Sequence, residues 1–408
     1  MDKTDTIILI TEEFPLGGIT EKSFVLPDII AMADRVKHLL IVPLLPDNDR
    51  TCGVEMPSNV EICRDWCDSI TRRYGIMRCL RYVPSKEVIK VLREGATRKN
   101  ITYAAASVAF SHFLLQLIRR RNIDASRLTV YSFWFNFAAS GVYLAACKMG
   151  FRYVIRAHGY DYKLACAKSL RQRTVDNSIG IYVCSRFGAE YLRKNLIDSD
   201  RIFTSYLGVE KNFPEVLTKW HTSGEHCVTI MSVSRVIPRK RVQMNLRFMK
   251  ALAVARPSTR FKWIHIGDGE CMAEIAEEAA QNLPSNLEVD LRGELDNDSL
   301  HKIYRDETVD WLMLLSQDEP LGLVLVEALA YGVPVIASAV GGIPEVVTDE
   351  CGILLDKDSS PEEFVRGIVP YLDSDYRMEQ LRTASYNRWV NLFDAVRLRK
   401  DFADSVLR

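Results

Sequence analysis

The chain has 408 residues, of which 48% are hydrophobic and 26% charged, and its formal net charge is zero. These values are typical of a globular protein with room for two domains of about 200 residues each. We expect no transmembrane helix, because no stretch approaches the ~18 uninterrupted apolar residues that a span needs. The apolar run at 7–10 is too short for a secretion signal, and the ten cysteines lack metal-ligand spacing, so we expect reduced thiols in a cytoplasmic protein.

Short apolar strands alternate with helical segments twice along the chain, which favours parallel sheets covered by helices. The seam between the halves is predicted near 207–227, where Pro214, Thr222, Ser223, Gly224 and His226 make the chain polar. A last helical segment is predicted at 378–408. Predicted strands in the first half are 6–11, 38–43, 60–63, 129–133, 152–157 and 180–184, with helices at 21–33, 86–94, 104–121, 138–149 and 186–194. Predicted strands in the second half are 228–233, 260–266, 287–292, 311–315, 333–337 and 352–355.

Charge is divided unevenly between the halves. Residues 1–208 carry 30 Lys or Arg and 21 Asp or Glu, and residues 72–121 alone carry twelve basic and two acidic side chains with aromatic and aliphatic residues among them. Such a patch can bind an anionic bilayer surface at about 1 kcal/mol per cation. A solvated basic face explains the same pattern, and no nucleic-acid motif accompanies it.

Glu319 and Glu327 stand eight positions apart in a stretch that reads as a loop followed by a helix. Gly322 lies at the mouth of that helix, after an apolar strand. Backbone N–H groups and the positive end of a helix dipole at such a loop suit a phosphate. Because one acid lies in the loop and the other about two turns into the helix, both ends of a ligand can meet a carboxylate. The pattern indicates a nucleotide sugar.

Three segments in order resemble the family-4-type retaining glycosyltransferases of the GT-B fold. They are the pair Glu319 and Glu327, Gly-Val-Pro-Val at 332–335 and Gly-Gly-Ile-Pro-Glu at 341–345. The resemblance implies an α/β fold of two Rossmann-like domains facing each other across a cleft. The implied domains are an acceptor-binding domain at 1–208, a nucleotide-sugar-binding domain at 209–385 and a helix at 386–408 that packs back on the first.

The implied reaction is transfer of a sugar, with retention, from a UDP- or GDP-linked donor to a saccharide or lipid-linked saccharide, as in bacterial exopolysaccharide and lipopolysaccharide synthesis. By resemblance, Glu327 binds the ribose and Glu319 the donor sugar. Backbone N–H groups of Leu321, Gly322 and Leu323 then contact the sugar or diphosphate. No cofactor is implied.

Arg235 and Lys240 follow the first strand of the second half and match two cations of the family. Cations held at a diphosphate stabilise charge that develops on the leaving group, which makes a divalent metal unnecessary. Gly267 and Gly269 resemble the turn that borders the nucleotide pocket, although simple turn chemistry also explains them. A solvated basic loop is the alternative for the cations, and Arg239 and Arg241 are expected to be of that kind.

His158 ends a strand of the first half beside a glycine, and by resemblance it hydrogen-bonds the donor sugar. Arg156 and Asp161 flank it and are candidate acceptor contacts. Gly17 and Gly18 lie at a strand-to-helix turn where backbone can approach the donor closely. The alternative for that turn is a plain tight turn, and a nicotinamide site is not supported because a third glycine is missing.

Two other functions remain open from the sequence. A nucleotide-sugar 2-epimerase has the same fold and needs no acceptor, and a non-catalytic GT-B partner protein keeps the fold without the activity. The predicted location is the cytoplasm, with peripheral contact with the inner membrane face through 72–121 as a further hypothesis.

Overall fold

The structure is a computed structural model that describes residues 4–16, 19–45, 55–69, 79, 81–159, 161–211, 213 and 227–407. The chain divides into two compact units. Unit 1 comprises Met1–Tyr206 and Arg397–Arg408, and unit 2 comprises Leu207–Val396. Each unit contains one parallel sheet with helices, so the predicted α/β class with two Rossmann-like halves is confirmed.

Unit 1 is built on a seven-stranded parallel sheet with the order β3-β2-β1-β4-β5-β6-β7. The interior strand β1 alternates its side chains between two cores. Ile8 and Ile10 join one hydrophobic cluster and Ile7 and Leu9 join the other. The strands are β1 (Thr6–Thr11), β2 (His38–Pro43), β3 (Val60–Ile62), β4 (Leu128–Ser132), β5 (Arg152–Ala157), β6 (Ile181–Val183) and β7 (Ile202–Thr204).

The helices of unit 1 cover both faces of that sheet. Side-chain caps begin several of them, including Ser85, Thr97, Asn136 and Ser185, each of which accepts a backbone N–H of the first turn. The helices are α1 (Ile19–Ala33), α2 (Asp65–Ser69), α3 (Lys86–Leu92), α4 (Arg98–Arg120), α5 (Phe137–Met149), α6 (Lys168–Asp176) and α7 (Arg186–Asn195).

Within the described residues, α4 is the one helix long and apolar enough to cross a bilayer by length and composition. Sixty-seven per cent of its most apolar window is buried inside the fold. It packs closely on α5, since a Cβ at Gly141 would lie 2.7 Å from the carbonyl oxygen of Ser107. Close packing against a neighbouring helix accounts for its apolar composition as a core helix.

Unit 2 is built on a six-stranded parallel sheet with the order β10-β9-β8-β11-β12-β13. Trp263, Trp311 and Ile230 lie in its main hydrophobic cluster. The strands are β8 (Cys227–Val233), β9 (Arg260–Ile266), β10 (Leu287–Leu291), β11 (Trp311–Leu314), β12 (Val335–Ser338) and β13 (Gly352–Leu355). The helices are α8 (Val242–Ala255), α9 (Met272–Ala280), α10 (Asn297–Asp306), α11 (Leu323–Ala330), α12 (Ile343–Val346), α13 (Pro361–Leu372), α14 (Asp375–Leu392) and α15 (Ala395–Leu407), of which the last continues into unit 1.

The sequence-based elements agree closely with these bounds, and the differences are short. Strand β7 and helices α2 and α6 were not predicted. Strand β7 has only three residues, two of them exposed, so its hydrophobic pattern is too brief to read. The predicted C-terminal segment divides into α14 and α15. In unit 1, Phe402 of α15 packs on Tyr131 and Tyr182.

Candidate functional site

The loop after β8 and the loop after β9 lie against each other at the carboxyl edge of the unit 2 sheet. The backbone N–H of Val236 donates to the carbonyl of Asp268 at 2.9 Å. Gly267 has φ of +133°, and a Cβ there would lie 1.9 Å from the carbonyl oxygen of Ser234. A side chain at Gly267 would therefore separate the two loops. Gly269 also meets Val236 closely, so both predicted glycines border the loop that carries the predicted cations.

Glu319 is held by the glycine pair that follows β12. Its carbonyl accepts the N–H of Gly342 at 3.0 Å. Gly341 has φ of +55°, and a Cβ there would lie 1.9 Å from the same carbonyl oxygen. The Gly-Gly-Ile-Pro-Glu segment thus positions the loop of Glu319 by close backbone contact. The residue is 9% exposed, so its carboxylate lies in a partly desolvated position.

The structure brings together two residues that the sequence assigned to different parts of a ligand. The Nζ of Lys240 pairs with Oε2 of Glu319. Lys240 ends a 3₁₀ turn at Pro238–Lys240, and the N–H of Gln317 donates to the carbonyl of Arg239 at 2.8 Å, which joins the two loops. By contrast, Arg235 is exposed, and its side chain makes no hydrogen bond or ion pair with any described residue.

Gly322 is the N-cap residue of α11 and provides no side-chain cap. The first N–H groups of a helix have no intrahelical partner, so the first turn at Leu323 retains donors for a ligand. Leu321 is buried and Leu323 is half-buried. The backbone around the predicted donor-binding residues therefore suits an anion.

Glu327 lies on α11 and has one buried oxygen, Oε2, without a hydrogen-bond partner among the described residues. Burial raises the pKa of Glu327 to about 7. Burial and the neighbouring charge of Glu327 raise the pKa of Tyr304 well above its usual value. A buried acceptor without a partner is costly, and a ligand hydroxyl donating to Oε2 would satisfy it.

In unit 1, His158 follows β5 and is 8% exposed. Its ring lies 4.7 Å from the ring centroids of both Phe133 and Trp134. Burial and the charge of Arg156 lower the pKa of the imidazole to about 3, against the opposing effect of a hydrogen bond to the backbone of Phe133. The ring is therefore neutral, and Nε2 is buried without a partner in the described part of the chain.

Arg156 and Asp161 are engaged by the fold. Arg156 is 3% exposed, and its NH1 donates to Asp28 at 2.8 Å while NH2 donates to Ser205 at 3.1 Å. Oδ2 of Asp161 accepts the N–H of His158 at 3.1 Å. Burial raises the pKa of Asp161 to about 6, against the opposing effect of its backbone hydrogen bonds. Their role as acceptor contacts remains a prediction.

Two residues near this site were not predicted: Trp134, whose ring packs on His158, and Glu21, which accepts the indole N–H of Trp134. The indole Nε1 of Trp134 donates to Glu21 at 2.6 Å. The backbone N–H of Glu12 donates to Glu21 at 2.9 Å, and burial and the charges of Glu21 and Asp161 raise the pKa of Glu12 to about 7. An acid in the first turn of the helix after β1 was the one available signal, since such a residue can accept loop N–H groups.

Some predicted features lie outside the described residues. These are Gly17 and Gly18, the seam residues Pro214, Thr222, Ser223, Gly224 and His226, and Arg72, Arg73 and Arg78 of the basic patch. Among the residues that are described, no group of three or more His, Cys, Asp or Glu side chains could hold a metal ion.

Residues 221–388 match the family model described as Glycosyl transferases group 1. An uncharacterised glycosyltransferase of Methanocaldococcus jannaschii is 27% identical over 233 residues, which are 56% of this chain and 60% of that protein. The chain spans 60% or less of the length of the first curated relatives it matches.

Two solved structures are similar over nearly the whole chain. Sucrose-phosphate synthase from Thermosynechococcus elongatus has a TM-score of 0.68 at 16% identity, with 98% of each chain covered. HepE of Anabaena, in complex with UDP, has a TM-score of 0.67 at 16% identity, with 98% of this chain and 99% of that chain covered. At this identity the likeness shows the fold.

Proposed function

From the match of residues 221–388 to the Glycosyl transferases group 1 family model, we propose that the protein is a retaining, metal-independent glycosyltransferase. Its donor is a UDP- or GDP-linked sugar, and its acceptor is a saccharide or lipid-linked saccharide of surface polysaccharide synthesis. The observation that carries the proposal is the arrangement at the carboxyl edge of the unit 2 sheet. There the Lys240–Glu319 pair lies at the same edge as the uncapped start of α11. The complex of HepE with UDP supports a nucleotide as ligand.

In the proposed complex the polar groups of unit 2 divide the donor between them. The ribose hydroxyls donate to Glu327, whose Oε2 otherwise lacks a partner. The diphosphate meets Arg235, Lys240 and the first N–H groups of α11. Glu319 then accepts hydrogen bonds from hydroxyls of the sugar. Donor binding therefore replaces the Lys240–Glu319 ion pair with one contact from each residue to the donor. By family resemblance, His158 of unit 1 hydrogen-bonds the sugar, and its unpartnered Nε2 supports that role.

The proposed reaction is an attack on the face from which the nucleotide leaves. The acceptor oxygen forms a bond to the anomeric carbon while the bond from that carbon to the phosphate oxygen breaks. The departing phosphate oxygen takes the acceptor proton. Arg235 and Lys240 stabilise the charge that grows on the diphosphate, which is the kind of fixed electrostatic contribution that dominates many enzymes.

The basic patch supports a lipid-linked acceptor at an anionic membrane surface. Helix α3 buries Val88 and Val91 on one side. Its other side exposes Lys86, Ile89, Lys90 and Arg93, which recur at helical spacing, and Ile89 is 48% exposed. Three cations around an apolar side chain suit an anionic headgroup region. The proposed location is therefore the cytoplasm, with peripheral contact with the membrane.

A ligand screen followed by a product assay tests the proposal. UDP, GDP and their sugars are first compared by thermal shift, because a ligand at 100 times its Kd adds about 2.7 kcal/mol to stability. The best donor is then incubated with and without saccharide acceptors. Transfer with retained anomeric configuration supports the proposal. Epimerisation of the sugar without acceptor, or binding of no nucleoside diphosphate, overturns it.

A further inference from the structure

Glu21 carries an unusual number of hydrogen bonds for a residue with no assigned role. Its Oε1 accepts the N–H of Glu12 at 2.9 Å and the indole N–H of Trp134 at 2.6 Å. Its Oε2 accepts the N–H groups of Glu13 at 2.8 Å and Phe14 at 2.7 Å. A carboxylate has about four acceptor positions, so the hydrogen-bonding capacity of Glu21 is fully used. The residue is 6% exposed.

These contacts tie two segments at the edge of the unit 1 sheet to one carboxylate. Residues 12–14 follow β1, and Trp134 follows β4, which is the neighbour of β1 in the sheet. Trp134 is also held by its backbone, since the Ser132 hydroxyl donates to its carbonyl at 2.8 Å. Both ends of the tryptophan residue are therefore anchored, and the indole has little freedom to rotate.

The anchored indole packs against the imidazole ring of His158. The imidazole packs against both Trp134 and Phe133, with ring centroids at 4.7 Å, and these two rings also contact each other at 5.6 Å. Loss of the hydrogen bond from the indole to Glu21 would remove the polar contact that fixes the orientation of the indole. Loss of the Glu21 carboxylate itself would leave four N–H donors without their acceptor in a partly buried place, which is unfavourable.

We propose that Glu21 is a positioning residue for His158, acting through the indole of Trp134 and the backbone of residues 12–14. The inference rests on the proposed function, because it assumes that His158 takes part in sugar transfer. Glu21 itself touches no substrate. It holds Trp134 so that the imidazole stays dry and oriented, with Nε2 available to accept a hydroxyl hydrogen.

Two substitutions test the proposal. Glu21→Gln keeps one acceptor oxygen and replaces the other by an NH2 group, which cannot accept a hydrogen bond from the N–H donors. Trp134→Phe keeps a ring beside His158 and removes the indole N–H. Glu190→Gln is the matched control, because Glu190 is an exposed acid of the same unit. The full chain is used throughout, and circular dichroism checks folding.

The expected kinetic result is a fall in kcat of about 10- to 100-fold for each substitution, as for small displacements of a reacting group. The KM for the donor should change less than kcat. The double variant should be no slower than the slower single variant, because both changes remove one interaction. Multiplied effects in the double variant would overturn the proposal.

A spectroscopic result keeps the test independent of catalysis. The Trp134 indole N–H resonance should shift in Glu21→Gln, and the His158 imidazole should titrate at higher pH than in the wild-type chain. An unchanged indole resonance and an unchanged His158 titration would overturn the proposal. If the wild-type chain transfers no sugar, the proposed function fails, while these resonances still decide whether Glu21 positions His158. If Glu21→Gln does not fold, the His158 titration in Trp134→Phe decides.

Discussion

Arg235 in unit 2 and Arg156 in unit 1 both follow or end a strand at the carboxyl edge of a parallel sheet, yet their surroundings differ. Arg235 is exposed and has no partner among the described residues. Arg156 is buried, pairs with Asp28 and lies 4.4 Å above the ring of Phe402. Because its charge is paired in a position that is 3% exposed, Arg156 is poorly placed to bind a phosphate, whereas the guanidinium of Arg235 is open to solvent. The comparison supports the proposal that Arg235 serves a ligand, and it shows that Arg156 is engaged by the fold.

The largest expected effect breaks the buried pair of unit 1. Asp28→Ala leaves the Arg156 guanidinium buried and removes the acceptor of the Tyr131 hydroxyl. Loss of one partner of a buried pair costs about 3–5 kcal/mol. Urea unfolding should show this loss, while Asp34→Ala, at an exposed acid just after α1, should unfold as the wild type does. An Asp28→Ala variant of wild-type stability would remove the contrast between the two arginines.

The next effect concerns the cations of unit 2. We expect the double variant Arg235→Ala, Lys240→Ala to lower turnover by about 10²-fold or more, as for loss of donors to developing charge. Arg239→Ala is the control, because Arg239 lies in the same turn and is exposed. Steady-state kinetics with the identified donor measure both. Full activity of the double variant would rule out the assigned role of these two residues.

Titration of Glu327 predicts that the affinity of unit 2 for a nucleotide depends on pH. The pKa of Glu327 is raised to about 7, and ribose hydroxyls donate best to the ionised form. At pH 6 about a tenth of the carboxyl groups are ionised, so nucleotide affinity should fall by up to about tenfold between pH 8 and pH 6. Calorimetry with UDP or GDP measures it. Glu327→Gln is the control, since it keeps the titration of the nucleotide and removes that of the carboxyl.

The same group predicts a slope in stability without ligand. Because the folded pKa lies above the unfolded value of 4.5, the folded state binds more protons between about pH 4.5 and pH 7. Stability should therefore fall as pH rises through that window and level off above it. Denaturant unfolding of the wild type and Glu327→Gln checks this, and identical pH profiles would show that Glu327 titrates normally.

The smallest effect concerns the exposed face of α3. Arg93→Gln should weaken binding to vesicles that contain anionic lipid by about 1 kcal/mol, or roughly fivefold, and leave neutral vesicles unaffected. Lys194→Gln, at an exposed cation elsewhere in unit 1, should bind as the wild type does. Equal sedimentation of the wild-type chain with neutral and anionic vesicles would contradict membrane binding by this face and favour a solvated basic surface.

Local pattern was enough to predict most of the elements. Alternating apolar runs separated by helical segments predicted twelve of the thirteen strands found in the described part of the chain, several to the residue, because a buried parallel strand is a continuous apolar run that needs little context. Short elements were not predicted, because β7 and α2 have too few residues to show a hydrophobic periodicity.

The sequence by itself predicted the fold class and the resemblance to a glycosyltransferase family, because both depend on residues close together along the chain, such as Glu319 to Glu327 and Gly341 to Glu345. Only the tertiary structure decided which charged side chains pair with one another. The Lys240–Glu319 pair spans 79 positions, the Arg156–Asp28 pair 128 and the Trp134–Glu21 hydrogen bond 113. Contacts at such separations depend on which strands become neighbours, and only the folded chain brings their ends to one sheet edge.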